Sequence, residues 1–369
     1  MKLGRILKWS TGLLFLALVA WLQFSYWTST NDCDPKAGLP SNPMKAIRYC
    51  EYGNPEDVLK LDEIEKPAPN DNQILVRVHA AALNPLDLGM RMPMWIRIIT
   101  GRRKPKETRL GVDYAGTVET VGKNVTQFKP GDDVFGGKIG AYGEYVCVAP
   151  DRAVMLKPAN VTFEQAASVP VAAITALQGL RDKGHIQPGQ KVLINGASGG
   201  VGTFAVQIAK SFGAEVTAVT SSRNVDLVRS IGADHVIDYT KEDFTRTDQR
   251  YDLIYDLVSN HSFSERRQIL TPRGICVMVG FGGSGWHDET LGRLGGALNA
   301  LVRSWFVSQK FVIFLANLNQ PDLKILADLM ESGKMTPVID RTYKLGEVPA
   351  ALKYLEQGHA RGKVVITVE

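Results

Sequence analysis

The sequence is poor in cysteine, and none of its cysteines is spaced for a metal. Cys33, Cys50, Cys147 and Cys276 never fall as C-x-x-C, which excludes a zinc ribbon and a paired redox motif. So few thiols in 369 residues give no ground for a disulfide framework. A strong charge of either sign is also missing. The net charge of +5 describes a solvated surface and gives no argument for nucleic acid. There is no internal repeat and no low-complexity tract. What remains is an ordinary globular composition, 44% hydrophobic and 22% charged, in a chain long enough for two domains.

The N-terminus departs from that composition. Lys2, Arg5 and Lys8 precede "WSTGLLFLALVAWLQFSYWTST", residues 9–30, which carry no charge. A helix over them would reach about 33 Å, against a hydrocarbon core of about 30 Å. Trp9, Trp21, Tyr26 and Trp27 put aromatics near both ends, as an interfacial belt requires. No clear A-x-A site follows, so an uncleaved anchor is expected over a cleaved signal peptide. Residues 31–43, "NDCDPKAGLPSNP", read as a linker.

Short strand-like runs then follow between Gly and Pro: "KAIRYCEYG", "QILVRVHAAAL", "AGTVETVG", "DDVFGG" and "GEYVCVAP". From about Ala166 the pattern changes to helices alternating with apolar strands, which argues for βαβ units and a parallel sheet. The strands are "KVLIN", "EVTAVT", "HVIDY", "YDLIYDLV" and "GICVMVGF". The chain ends in one more, "KVVITV".

The densest run of small residues follows "KVLIN". It reads "GASGGVG", Gly196 to Gly202. After it Val201, Phe204, Ala205, Ile208 and Phe212 fall at helical spacing on one face, and Gly213 supplies a stop. The order is strand, tight turn, helix. Such a helix start offers free N–H groups to an anion, and the glycines let a pyrophosphate approach the backbone. Ser198, Gly199, Gly200, Val201 and Gly202 are therefore the expected cradle. An NAD site usually puts an acid at the end of the next strand. Here Thr220 holds that place, followed by Ser221, Ser222 and Arg223. Hydroxyls and a guanidinium suit a 2′-phosphate, so the expected cofactor is NADPH.

With that turn placed, the chain resembles the medium-chain dehydrogenase/reductase superfamily. It is most similar to its zinc-free quinone oxidoreductase branch, close to the reticulon-4-interacting-protein group. The resemblance runs from about Lys45 to Glu369. It is carried by "VRVHAAALNPLDLGMR", "LGVDYAGTVETVGKNVTQFKPGDDVFG", "AASVPVAAITALQGL", "NGASGGVG", "LVRSIGADHVIDYT" and "GHARGKVVI". It implies an α/β fold in which a doubly wound Rossmann sheet is inserted in a β-rich, GroES-like catalytic domain, here with an N-terminal transmembrane helix. The expected limits are 1–30 for the anchor, 31–43 for the linker, 44–167 with 312–369 for the catalytic domain, and 168–311 for the NADPH-binding domain.

The resemblance also argues against a catalytic metal. Zinc alcohol dehydrogenases carry cysteine at the position of Asn84, and Gly-His-Glu where this chain reads Gly111-Val112-Asp113. Valine cannot ligate zinc. The four-cysteine lobe is missing near Tyr142 to Asp151, so no metal is expected.

The same resemblance assigns further residues. Asn84 faces the nicotinamide or the substrate oxygen, and its amide can donate to developing negative charge. Thr175 lies near the cofactor. Tyr239 stands beside the adenosine phosphate, Gly280 and Phe281 border the nicotinamide, and His359, Ala360 and Arg361 close over it. Asp87 orders its loop. The proton donor is left open among Tyr142, Tyr145 and water, while His185, His235 and His261 show no partner pattern.

The implied activity is hydride transfer from NADPH to a quinone or an α,β-unsaturated carbonyl, without zinc. The alternative is a membrane-tethered NADPH-binding scaffold or sensor with little turnover. The expected partners are the small-molecule acceptor, a second copy in a homodimer, and the membrane. Contact with the membrane is through the N-terminal helix; the basic, apolar segments Met90 to Lys106 and Leu291 to Ala316 read first as cleft-lining and dimer-contact segments, with a cleft mouth facing the bilayer as the alternative. NADPH supply calls for a single-pass protein with its body in the cytoplasm, although the positive-inside rule puts that body on the other side.

Overall fold

The computed structural model describes residues 31, 33, 40–91, 97, 103–279, 295, 296 and 299–368. The chain opens with β1 (Pro43–Tyr49), paired antiparallel with β2 (Leu59–Glu65). Five more strands follow: β3 (Ile74–Ala82), β4 (Asp113–Val121), β5 (Asp133–Gly137), β6 (Tyr145–Val148) and β7 (Val154–Leu156). The pattern then becomes α/β through β8 (Lys191–Asn195), β9 (Glu215–Thr220), β10 (His235–Asp238), β11 (Tyr251–Asp256), β12 (Leu270–Met278) and β13 (Lys310–Ile313). β14 (Ile339–Lys344) and β15 (Lys363–Thr367) end the chain.

β8 to β13 form one parallel sheet in the order β10-β9-β8-β11-β12-β13. Its central strand carries Val192, Leu193 and Ile194, all buried, as expected for a strand covered on both faces. The order turns around between β8 and β11. In an open α/β sheet, ligands bind outside the carboxyl ends at that point.

The second sheet runs β14-β15-β3-β4-β5-β7, with β6 also on β3. β15 returns from the far end of the sequence to pair antiparallel with β3, Val365 opposite Ala82. The parallel sheet is thus an insertion within a β-rich unit. The two units share a core. Ala80, Ala82 and Phe135 of one are buried with Ile174, Leu177 and Phe204 of the other. The helix Pro170–Gln178 runs between them, with proline in its first turn.

At the N-terminus one expectation falls outside the described residues and one changes. Residues 1–30 lie outside the described residues, and among the described residues no helix is long and apolar enough to cross a membrane. Of the basic, apolar segments Met90 to Lys106 and Leu291 to Ala316, residues 92–96, 98–102, 291–294, 297 and 298 also lie outside them. Cys33 and Cys50 are joined in a disulfide, their Cα atoms 5.8 Å apart. The composition gave no warning of that pair. Its separation of 17 residues matches no motif, and it forms because β1 carries Cys50 back beside the linker. Asn31 Nδ2 donates to the Cys50 carbonyl at 3.1 Å beside it.

Candidate functional site

β8 ends in the glycine turn. Gly196 adopts φ +87°, where a side chain would be strained. The N–H groups of Gly196 and Ala197 both donate to the Val219 carbonyl, which ties the turn to β9. A Cβ on Gly202 would run into the Gly196 carbonyl oxygen and the Ala197 backbone, so only glycine lets the helix pack this closely. The helix Gly200–Ser211 follows, with Phe204, Ala205 and Ile208 buried on its inner face. No side chain caps it at Gly199. Its first N–H groups have no partner within the helix, and they carry the positive end of its dipole.

Hydroxyls gather beside this turn. Ser198 Oγ accepts from Thr220 Oγ1 at 2.8 Å and from Asn224 Nδ2 at 3.0 Å. Its own proton is left to donate elsewhere. Asn224 also reaches Ser221 Oγ at 3.3 Å, while its buried Oδ1 has no partner. Ser222 donates to Asp238 Oδ2 at 2.5 Å. Two exposed guanidiniums complete the rim. Arg223 donates to the His359 carbonyl at 3.0 Å, and Arg361 reaches the Arg223 carbonyl at 3.5 Å. A parallel bridge between Gly199 and Gly362 lays the segment with His359, Ala360 and Arg361 against the glycine turn. Tyr239 follows β10, its N–H on the Thr220 carbonyl and its side chain 58% exposed.

Two of these residues escaped sequence reading. Asn224 stands where a helix begins and reads as an ordinary start residue. Asp238 comes from the strand beyond the one that should carry an acid. Hydrogen bonds, first from Ser222 and then from Thr240, hold its carboxyl well below the usual carboxylate range, and Lys241 pairs with it at 3.1 Å. The carboxylate is thus engaged by its own neighbours.

Asn84 follows β3 in the β-rich unit and is buried. Its Nδ2 donates to Asp113 Oδ2 at 3.0 Å and more weakly to the Ala82 carbonyl at 3.4 Å. Its Oδ1 accepts from Lys363 Nζ at 2.7 Å. One N–H of the amide is therefore only loosely held. The Asn84 backbone N–H and the Tyr142 hydroxyl both donate to Asp87 Oδ2, at 2.7 and 2.6 Å. Burial raises the Asp87 carboxyl to about 6, against the lowering effect of those two hydrogen bonds. Burial, reinforced by the Asp87 charge, raises the Tyr142 hydroxyl well above its ordinary value.

The remaining expected residues are dispersed. Thr175 spends its hydroxyl on the Val171 carbonyl at 2.7 Å, and its own carbonyl accepts from Tyr255 at 2.8 Å. Tyr145 lies under the Lys66 ammonium on a separate groove lined by Arg77 and Glu144. His235 and His261 do have acidic neighbours, Glu215 at 3.0 Å and Asp243 at 3.3 Å. Gly280 and Phe281 lie outside the described residues.

Family models match both parts of this arrangement. Residues 70–159 match the alcohol dehydrogenase GroES-like domain, and residues 231–366 match the zinc-binding dehydrogenase. Human NAD(P)H oxidoreductase RTN4IP1, mitochondrial, is 36% identical over 359 residues, covering 89% of this chain and 90% of that one. The protein belongs to the medium-chain dehydrogenase/reductase superfamily. Within it, the chain is an oxidoreductase of the quinone-oxidoreductase-like branch. The 2-methylene-furan-3-one reductase of Solanum lycopersicum is 36% identical over 343 residues, covering 89% of this chain and 80% of that one. The quinone oxidoreductase structure from Coxiella burnetii superposes with a TM-score of 0.75 at 32% identity, covering 89% of this chain and all of that one.

Among the described residues no group of three or more His, Cys, Asp or Glu is placed to hold a metal ion. The expected cytoplasm-facing, single-pass location is corrected. No membrane-crossing helix occurs among the described residues, and the human relative is named as mitochondrial.

Proposed function

We propose that this medium-chain oxidoreductase uses NADPH to reduce a quinone or an α,β-unsaturated carbonyl. The observation that carries the reading is the convergence of Arg223, Arg361 and Ser221 beside an uncapped helix start, with Thr220 and not an acid ending β9. The fit to a dinucleotide rests on that cradle and on the close packing that Gly202 permits. The relatives add acceptor chemistry, since one is named for an enone and another for a quinone.

In this reading the first turn of Gly200–Ser211 holds the pyrophosphate and the two guanidiniums hold the 2′-phosphate. Tyr239 lines the adenosine end. Thr175 supports the cleft wall, and Gly280 with Phe281 borders the nicotinamide. When bound, the cofactor supplies a hydride. The chain's own residues orient the acceptor and stabilise charge. The loosely held N–H of Asn84 turns to the acceptor oxygen. Asp87 and Tyr142 are buried and bonded to each other, so the proton that completes the reduction comes from water. The same pairing favours a second reading, an NADPH-binding sensor with little turnover. A homodimer suits the structure as well. β13 ends the parallel sheet, and Trp305 and Phe306 just before it are 80% and 82% exposed.

The test is nicotinamide oxidation by the purified full chain with quinones, enones and enals. Turnover supports the reductase. Tight NADPH binding without turnover on any of these acceptors supports the sensor.

A further inference from the structure

Behind Asn84 lies a buried ion pair that no expected residue accounts for. Lys363 opens β15 and Asp113 opens β4, 250 positions apart in sequence. Their side chains are 3% and 0% exposed, and Nζ lies 3.4 Å from Oδ2. Burial pushes the Lys363 ammonium down and the Asp113 carboxyl up, while each charge resists the other's neutralisation. A buried charge is tolerated only with partners, and both have them. Lys363 also donates to the Leu83 carbonyl at 2.8 Å and to Asn84 Oδ1 at 2.7 Å. Asp113 also accepts from the Val171 N–H at 3.0 Å and from Asn84 Nδ2 at 3.0 Å.

The amide of Asn84 is therefore gripped at both ends by opposite charges. Turned over, it would set its NH2 against an ammonium and its oxygen against a carboxylate. The pair admits one orientation of the amide. It also reaches into the other unit. Val171 begins the helix that runs between the sheets, and the Lys363 stem lies 3.2 Å from where a Cβ on Gly200 would be. Lys363 thus holds Asn84 and lies beside the helix start of the proposed cofactor cradle, while Asp113 ties Asn84 to the helix between the sheets.

We propose that Lys363 and Asp113 are positioning residues that fix the orientation of the Asn84 amide and its register with the glycine turn. The inference rests on the reductase reading for its effect on rate, but the orientation itself can be measured without turnover. Full-length protein labelled with 15N-asparagine reports the Asn84 side-chain signals, assigned by Asn84→Ala. In the wild type these protons should exchange slowly, since the amide is buried and bonded at both ends.

Lys363→Met should lower their protection by about tenfold or more, as local opening does, and Lys363→Arg should retain most of it. The double variant Asp113→Asn, Lys363→Met removes both charges together, so it folds even where the single variant fails. It should also lose the protection. Its kcat with an enone should fall by about 10²-fold, the cost of a misplaced oxyanion donor. Unchanged Asn84 signals in the folded double variant would overturn the proposal. A wild type that turns over no acceptor would instead sink the reductase reading, and the amide signals would still decide this one.

Discussion

At the scale of single residues, charge and burial make the sharpest predictions. Arg223 and Arg361 are exposed and lean on backbone carbonyls, so removing either should leave folding intact. A charge-assisted bond to phosphate contributes about 1.5–3 kcal/mol. Arg223→Ala or Arg361→Ala should then weaken NADPH binding by about 10–100-fold, with NADH affinity almost unchanged, as titration of protein fluorescence would show. Asp87 gives a pH effect. Its folded value of about 6 lies above the ordinary 3.8, so the folded state holds its proton more tightly. Its contribution to stability is complete below about pH 4 and is lost as the pH rises through about 6. Urea unfolding across that window should show the slope, and Asp87→Asn should flatten it. These residues also mark the limit of what sequence discloses. Ser221, Ser222 and Arg223 could be proposed locally, because they stand together at the end of one strand. The grip on Asn84 could not, since its partners stand 29 and 279 positions away.

Among elements, the glycine turn was the most legible. Strand, turn and helix follow one another within one short stretch, so local periodicity decides them before any long-range contact forms. The turn should also tolerate change least. Gly202→Ala places a methyl group against the Gly196 carbonyl, where backbone must move. Overpacking of this kind costs about 1–3 kcal/mol, and here the moved backbone is the cradle itself. A lowered midpoint on thermal unfolding, together with loss of NADPH binding, is the expected result. The β-rich sheet was less legible. Its short strands could be seen, but nothing local says that β15 closes against β3. That pairing depends on which apolar faces the rest of the fold leaves to be buried.

For the whole molecule, the Cys33–Cys50 pair changes the account of the N-terminus. It ties the segment before the body to the end of β1, through a closed loop that spans the linker. A loop of this length stabilises by about 3 kcal/mol in the chain-entropy picture. The double replacement Cys33→Ser, Cys50→Ser should lower the unfolding free energy by an amount of that order. Reduction of the wild type should do the same, while the buried Cys276 stays unreactive until unfolding. Thiol counting under native conditions checks both. Such pairs are rare in reducing compartments, and composition alone gave no reason to expect one.

The two units meet over a common core, with Asn84 on one and the glycine turn on the other. The proposed hydride transfer is tested most directly by steady-state turnover of the full chain on a panel of quinones, enones and enals, with NADPH and NADH in parallel. Turnover with NADPH, little with NADH, and loss of that preference in Arg223→Ala are the expected results. Equal rates with both cofactors, or NADPH bound with no acceptor reduced, would contradict the proposed function.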